Sequence, residues 1–206
     1  MENKIKFIFD LDGTVTKEET LPLIAAHFAV QEKIAELTKE TVSGNIPFIE
    51  SFIKRVHILG KLPVDEINAL LAEVRLYEQI VEFITANSKD CAIATGNLRE
   101  WISKLAARTP CEVFCSTGII ENNRVQKLTT ILQKEKIVAG YQEKGYKVVF
   151  VGDGNNDVEA MRLADVAIAC GLTHAPTSSV LTVADYAIYD EQALVQQLEK
   201  IKKAAT

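Results

Sequence analysis

What this chain lacks narrows its function before any motif is read. No apolar run approaches the roughly 20 residues that span a bilayer, so a membrane partner is not expected. Met1-Glu2-Asn3-Lys4 leads into a short apolar stretch and not into the long apolar region of a secretory signal, which points to the cytoplasm. Cysteine is scarce. Cys91 and Cys170 fall in apolar, strand-like runs, and no Cys/His pair near Cys111 and Cys115 completes a zinc site, so all four read as reduced thiols. The three histidines, His27, His57 and His174, are scattered with no partner at ligand spacing, and structural or surface roles are expected for them. There is no basic run, and 28 acidic residues outnumber 23 basic ones, which argues against nucleic acid as a partner. An acidic protein that handles an anionic substrate must bring positive charge in locally, from a metal or from a few placed Lys and Arg.

What is present is a chain of 206 residues, 48% hydrophobic, enough for one substantial core and a small second module. Residues 5–9 form an apolar run without alternation, which predicts a short strand buried on both faces. It ends in Asp10-Leu11-Asp12-Gly13-Thr14-Val15-Thr16. Residues 17–75 show helical periodicity only. Thr20-Leu21-Pro22 starts one helix, Pro47 opens another with Phe48, Phe52, Ile53, Val56 and Leu59 facing inward, and Gly60 to Pro63 separates the last. From 77 onward helices and strands alternate. Strands are expected over 90–95, 112–116, 147–151, 166–170 and 186–188, and helices over 77–87, 98–108, 134–144, 158–164 and 191–203. Residues 118–130 are open to a small hairpin turning at Asn122-Asn123. The expected fold is α/β: a doubly wound parallel sheet, residues 1–16 and 76–206, with an all-helical insert at 17–75 after the first strand.

In such sheets ligands bind beyond the carboxyl ends of the strands. Three of those ends are polar: Asp10 and Asp12, Thr95-Gly96-Asn97, and Asp153 followed by Asn156-Asp157. Right-handed crossovers put all three on one edge. A turn with a helix cap would account for Gly13, but not for two acids at a buried strand end. Asp10, Asp12, Asp153 and Asp157 cannot all stay ionised in one crevice without a cation, and hard oxygen donors point to Mg²⁺. The Thr95 hydroxyl and the N–H groups of 95–97, at a helix N-terminus, suit a phosphate. Lys134 is the best-placed fixed cation, with Lys127 and Lys136 as competitors. Metal, amides, hydroxyl and lysine make a phosphoryl-transfer site. One carboxylate is available as nucleophile, and the second, on the same side of the extended segment, as acid and base.

These motifs resemble, in order and spacing over the whole chain, those of the haloacid dehalogenase superfamily of phosphatases. They are Asp-Leu-Asp-Gly-Thr-Val-Thr at 10–16, Thr95-Gly96, Lys134, and Gly-Asp-Gly-Asn-Asn-Asp at 152–157. The resemblance implies Asp10 as nucleophile and Asp12 as acid/base. It implies Mg²⁺ held by Asp10, the Asp12 main-chain carbonyl and Asp153, with Asp157 in support, and Thr95, Gly96 and Lys134 around the phosphoryl group. The insert at 17–75 is similar to the cap of the phosphoserine phosphatase branch. There Glu19 matches a glutamate facing the substrate ammonium, Arg55 an arginine facing its carboxylate, and Phe48 a gating aromatic. The branch commonly has Ser-Gly-Gly where this chain has Thr95-Gly96-Asn97, so Asn97 adds a side chain on the substrate side, where Asn156 is also expected.

The resulting expectation is a Mg²⁺-dependent phosphomonoesterase working through an aspartyl-phosphate, with O-phosphoserine as substrate and a monomeric or homodimeric state. A phosphatase or phosphotransferase for another small metabolite phosphate is the alternative within the family. A receiver-like phospho-sensor is the alternative outside it. Receivers are shorter, carry the acceptor on a later strand and have no helical insert, and a stable aspartyl-phosphate would not want Asp12 beside it.

Overall fold

The computed structural model describes residues 4–42 and 45–205, apart from the side chains of residues 42, 48 and 205. Its elements run β1 (Lys4–Phe9), α1 (Thr20–His27), α2 (Gln31–Val42), α3 (Phe48–Leu59), α4 (Val64–Ala72), α5 (Glu78–Ala86), β2 (Cys91–Leu98), α6 (Arg99–Ala106), β3 (Glu112–Glu121), β4 (Arg124–Thr130), α7 (Lys134–Gln142), β5 (Tyr146–Gly152), α8 (Val158–Leu163), β6 (Val166–Cys170), α9 (Ser178–Leu181), β7 (Tyr186–Ile188) and α10 (Glu191–Ala205). No helix among the described residues is long and apolar enough to cross a membrane.

The strands form one seven-stranded sheet in the order β4-β3-β2-β1-β5-β6-β7, parallel except where β3 meets β4. β1 lies inside it, and Phe7, Ile8 and Phe9 are fully buried, as a strand without alternation requires. Phe9 stands opposite Ile93 of β2 and Val151 of β5, so three neighbouring strands end level at one edge. That register brings Asp10, Thr95 and Asp153 together from positions far apart in sequence.

Helices α1 to α4 all lie between β1 and β2, as the helical periodicity of 17–75 requires. α4 sits on the sheet's own helix α6, with the Asn68 amide donating to the Glu100 carbonyl at 2.9 Å and to Ser103 Oγ at 2.6 Å. The hairpin is real, and Asn122 and Asn123 take φ of 49° and 62° in its turn. It braces the insert: the Val125 N–H donates to the Gly60 carbonyl and the Val64 N–H to the Asn123 carbonyl, each at 2.9 Å. At Gly60 a Cβ would stand 2.6 Å from the Val56 carbonyl oxygen, so only glycine allows that approach.

Three local expectations are corrected. Ile53, expected inward, is 44% exposed, while Phe52, Val56 and Leu59 hold the buried face of α3. β2 does not stop at Thr95 but runs through Gly96 and Asn97 to Leu98 with a shift in register, so α6 begins only at Arg99. The short helix α9 lies between β6 and β7, where no helix is expected from the sequence.

Candidate active site

The segment after β1 is shaped by its own side chains. The Val15 and Thr16 N–H groups both donate to the Leu11 carbonyl at 2.9 Å. The Thr16 hydroxyl donates to the Glu18 carbonyl at 2.7 Å. Gly13 sits at φ +69°, where a Cβ would also stand 2.8 Å from Glu19 Oε1. The Thr14 hydroxyl donates to Asp153 Oδ1 at 3.0 Å and so ties this turn to the loop after β5.

Behind that turn lies a buried charge network. Lys134, the first residue of α7 and only 3% exposed, places its ammonium 2.7 Å from Asp10 Oδ1 and 2.6 Å from Asp157 Oδ1. The other oxygen of Asp157 accepts the N–H groups of Asp153 at 3.1 Å and Gly154 at 2.9 Å. Lys127, on β4, and Lys136 are both exposed. Asp10 accepts the Leu11 N–H at 2.7 Å. Thr95 is fully buried, and its hydroxyl accepts the Asn97 N–H at 3.2 Å.

The electrostatics follow from clustered buried carboxylates with one ammonium set between two of them, Asp10 and Asp157. Burial, then the charge of Asp157, pushes Asp10 well above the usual carboxylate range, against the pull of Lys134. Asp153 is raised to about 7 by burial and then by Asp157 and Glu19. Asp12 is raised to about 6 by burial and then by Glu19, while the Thr20 hydroxyl and N–H act the other way. Burial works against the Lys134 ammonium, but Asp10 and Asp157 outweigh it and hold it above the usual lysine value. Oxygens of Asp10, Asp153 and Asp157 lie within 4.8 Å of one another. An all-oxygen set with surplus negative charge fits a hard divalent cation such as Mg²⁺.

In front of the network is a cavity of about 370 Å³. Asp10, Asp12, Gly96, Asn97, Asp153 and Asn156 line it from the sheet edge, and Glu19 and Arg55 from the insert. Ile34 and Phe52 supply apolar wall. The half-buried Arg55 donates through Nη2 to Thr38 Oγ1 at 3.2 Å, and its Nε has no acceptor among the described residues. Burial lowers the Arg55 pKa, and the charge of Glu19 counters it. Thr95, Lys134 and Asp157 are not among the lining residues. Phe48 opens α3, but its side chain lies outside the described residues.

One residue joins the site that its spacing in the sequence does not mark. His174 is not remote: its Nε2 lies 2.8 Å from Glu19 Oε1 and 3.2 Å from Asp153 Oδ2, and it lines the cavity. Burial disfavours the imidazolium, but the Ala175 carbonyl, Glu19 and Asp153 together raise its pKa. The available signal was its position, four residues past the end of β6, on the same sheet edge as the other loops. Asn97 also does something no motif indicated. Its amide donates to Asp12 Oδ2 at 2.6 Å and to Thr20 Oγ1 at 2.8 Å.

Comparison with known proteins places this arrangement. A family model for haloacid dehalogenase-like hydrolases matches residues 7–165. The chain is 27% identical to a phosphoserine phosphatase of Lactococcus lactis, over all of this chain and 99% of that one. It is also 27% identical to the phosphoserine phosphatase of Methanocaldococcus jannaschii, over 82% of this chain and 87% of that one. A solved structure described as a phospho-aspartyl intermediate analogue of phosphoserine phosphatase superposes with a TM-score of 0.80. It covers 95% of this chain and 99% of its own at 22% identity, a likeness of fold.

Proposed function

Because the chain belongs to the haloacid dehalogenase-like hydrolases, we propose that it is a Mg²⁺-dependent phosphomonoesterase that hydrolyses O-phosphoserine through an aspartyl-phosphate on Asp10. Asp10 attacks phosphorus as the bond to the seryl oxygen breaks, and Asp12 protonates that oxygen as it leaves. Asp12 then takes a proton from water, whose oxygen attacks phosphorus and frees Asp10 and inorganic phosphate. A carboxyl held at about 6 is suited to giving a proton in the first half and taking one in the second near neutral pH. Lys134, Thr95 and the Gly96 N–H hold the phosphoryl oxygens. Mg²⁺, held by Asp10, the Asp12 carbonyl and Asp153 with Asp157 in support, would act as a Lewis acid on the phosphoryl group.

The observation that carries the serine reading is the placing of Glu19 and Arg55 in one cavity with Asp10 and Asp12. A carboxylate and a guanidinium are the partners an amino-acid zwitterion needs, and Arg55 Nε is a donor without an acceptor among the described residues. Curated relatives named phosphoserine phosphatase, aligned over most of the chain, support the same reading. In this reading residues 17–75 form the cap that selects substrate over a core of 1–16 and 76–206, with Phe48 as a gate and Asn156 on the substrate side.

The test is phosphate release from a panel of phosphoesters with Mg²⁺. Phosphoserine should exceed an aryl phosphate by about 100-fold in kcat/KM, two charge contacts at roughly tenfold each. Equal rates would remove the serine assignment, and no release from any ester would remove the phosphatase.

A further inference from the structure

Asn97 is the polar side chain at the sheet edge that the chemistry above leaves without a task. It is only 3% exposed, and both of its amide hydrogens are committed. One goes to Asp12 Oδ2 at 2.6 Å and the other to Thr20 Oγ1 at 2.8 Å. Its own Oδ1 is buried with no partner among the described residues. Turning the amide over would set Oδ1 against the Asp12 carboxylate, acceptor against acceptor, so the orientation is fixed even though one acceptor goes unused. The other oxygen of Asp12 accepts the Thr20 N–H at 2.9 Å. Asp12 is thus gripped at both oxygens by two donors, one from the end of β2 and one from the start of α1. Thr20 is the next residue after Glu19, so the same amide also fixes where the insert leaves the sheet.

We propose that Asn97 is a positioning residue for Asp12, fixing the carboxylate at the angle needed to protonate a poor leaving oxygen. The proposal rests on the assignment of Asp12 as acid/base. A carboxyl group that loses the Asn97 donor is held from Thr20 alone, rotates more freely about its Cβ–Cγ bond, and its acidic proton no longer points along one line. An alkyl ester suffers from this, because an alkoxide leaves poorly without a proton. An aryl ester such as p-nitrophenyl phosphate does not, because nitrophenolate leaves without one.

The experiment measures alcohol release in a single turnover at saturating ester, where weakened binding does not register, with Mg²⁺ present, from phosphoserine and from p-nitrophenyl phosphate. It compares the unsubstituted protein with Asn97→Ala and Asn97→Ser, the serine hydroxyl being too short to reach Asp12. Both variants should lose about 30-fold or more on phosphoserine and less than about threefold on the aryl ester. If one variant does not fold, the ratio of the two losses in the other carries the test. Equal losses on the two esters would make Asn97 a structural tether and overturn the proposal, and so would no loss on either. An unsubstituted protein that cleaves neither ester would instead overturn the phosphatase reading.

Discussion

The two sides of the cavity are built differently. On the sheet edge Asp10, Asp153, Asp157 and Lys134 are all buried, and each is held by partners from other segments. On the insert side, among the described residues, Arg55 donates to Thr38 at 3.2 Å and its Nε has no acceptor, and Glu19 is hydrogen-bonded to a partly exposed histidine. Groups locked by several partners suit bond making, where misplacement is costly. Groups with spare hydrogen-bonding capacity suit recognition, because the ligand supplies what is missing. The buried charge network of the edge should therefore set whether any ester is cleaved, and the insert which one is recognised, while Asn97 acts only on how well Asp12 protonates a poor leaving oxygen.

The largest effect should come from the edge. Asp10→Asn removes the nucleophile while keeping the shape, and hydrolysis of every phosphoester should fall at least about 10⁴-fold in a steady-state assay. If the loss differed widely between esters, the division between the two sides would fail. Lys134→Ala should lower kcat by about 10²–10³-fold, again alike for phosphoserine and an aryl ester, because the phosphoryl group is common to both.

A metal effect should also belong to the edge alone. Asp12 and Asp153 are raised to about 6 and about 7, so the folded protein binds protons that the unfolded chain has released. That contribution is fully present below the ordinary carboxylate pKa of 3.8 and is lost as pH rises through about 7. In thermal melts Mg²⁺ at 100 times its Kd should raise Tm by about 5–10 °C at pH 8. The rise should be smaller at pH 5, where the carboxyls hold protons. Arg55→Ala should leave this increment unchanged.

The smallest effect should come from the contact between the edge and the insert's Glu19. His174→Ala removes one partner of Glu19, and KM for phosphoserine should rise about two- to tenfold, the worth of one hydrogen bond, with kcat nearly constant. The aryl ester should show no change in KM.

The same contrast explains what could be read in the sequence. The edge was legible because β-strands announce their ends: an apolar run stops and a polar cluster follows, at Asp10, Thr95 and Asp153 alike. Parallel topology then makes those ends converge whatever the loop lengths. Lys134 could be singled out because it opens a helix, while the exposure of Lys127, on β4, and of Lys136, two residues into α7, is not displayed by sequence. Neither the reach of His174 nor the Asn97 contact with Asp12 is marked in the sequence, for one reason. Each acts on residues more than 80 positions away, His174 on Glu19 and Asn97 on Asp12, and no local spacing encodes such a contact. Ile53 was misplaced because a helix of this size buries a narrow face, and Phe52 and Val56 already fill it.

The most direct test is the ratio of kcat/KM for phosphoserine to that for p-nitrophenyl phosphate, in the unsubstituted protein and in Arg55→Ala. The ratio should start near about 100 and fall about tenfold in the variant, to near about 10, the Glu19 contact remaining, with aryl phosphate turnover kept within about threefold. A ratio that stays high without Arg55, or an aryl rate that collapses with it, would contradict the assignment of chemistry to the sheet edge and choice of substrate to the insert.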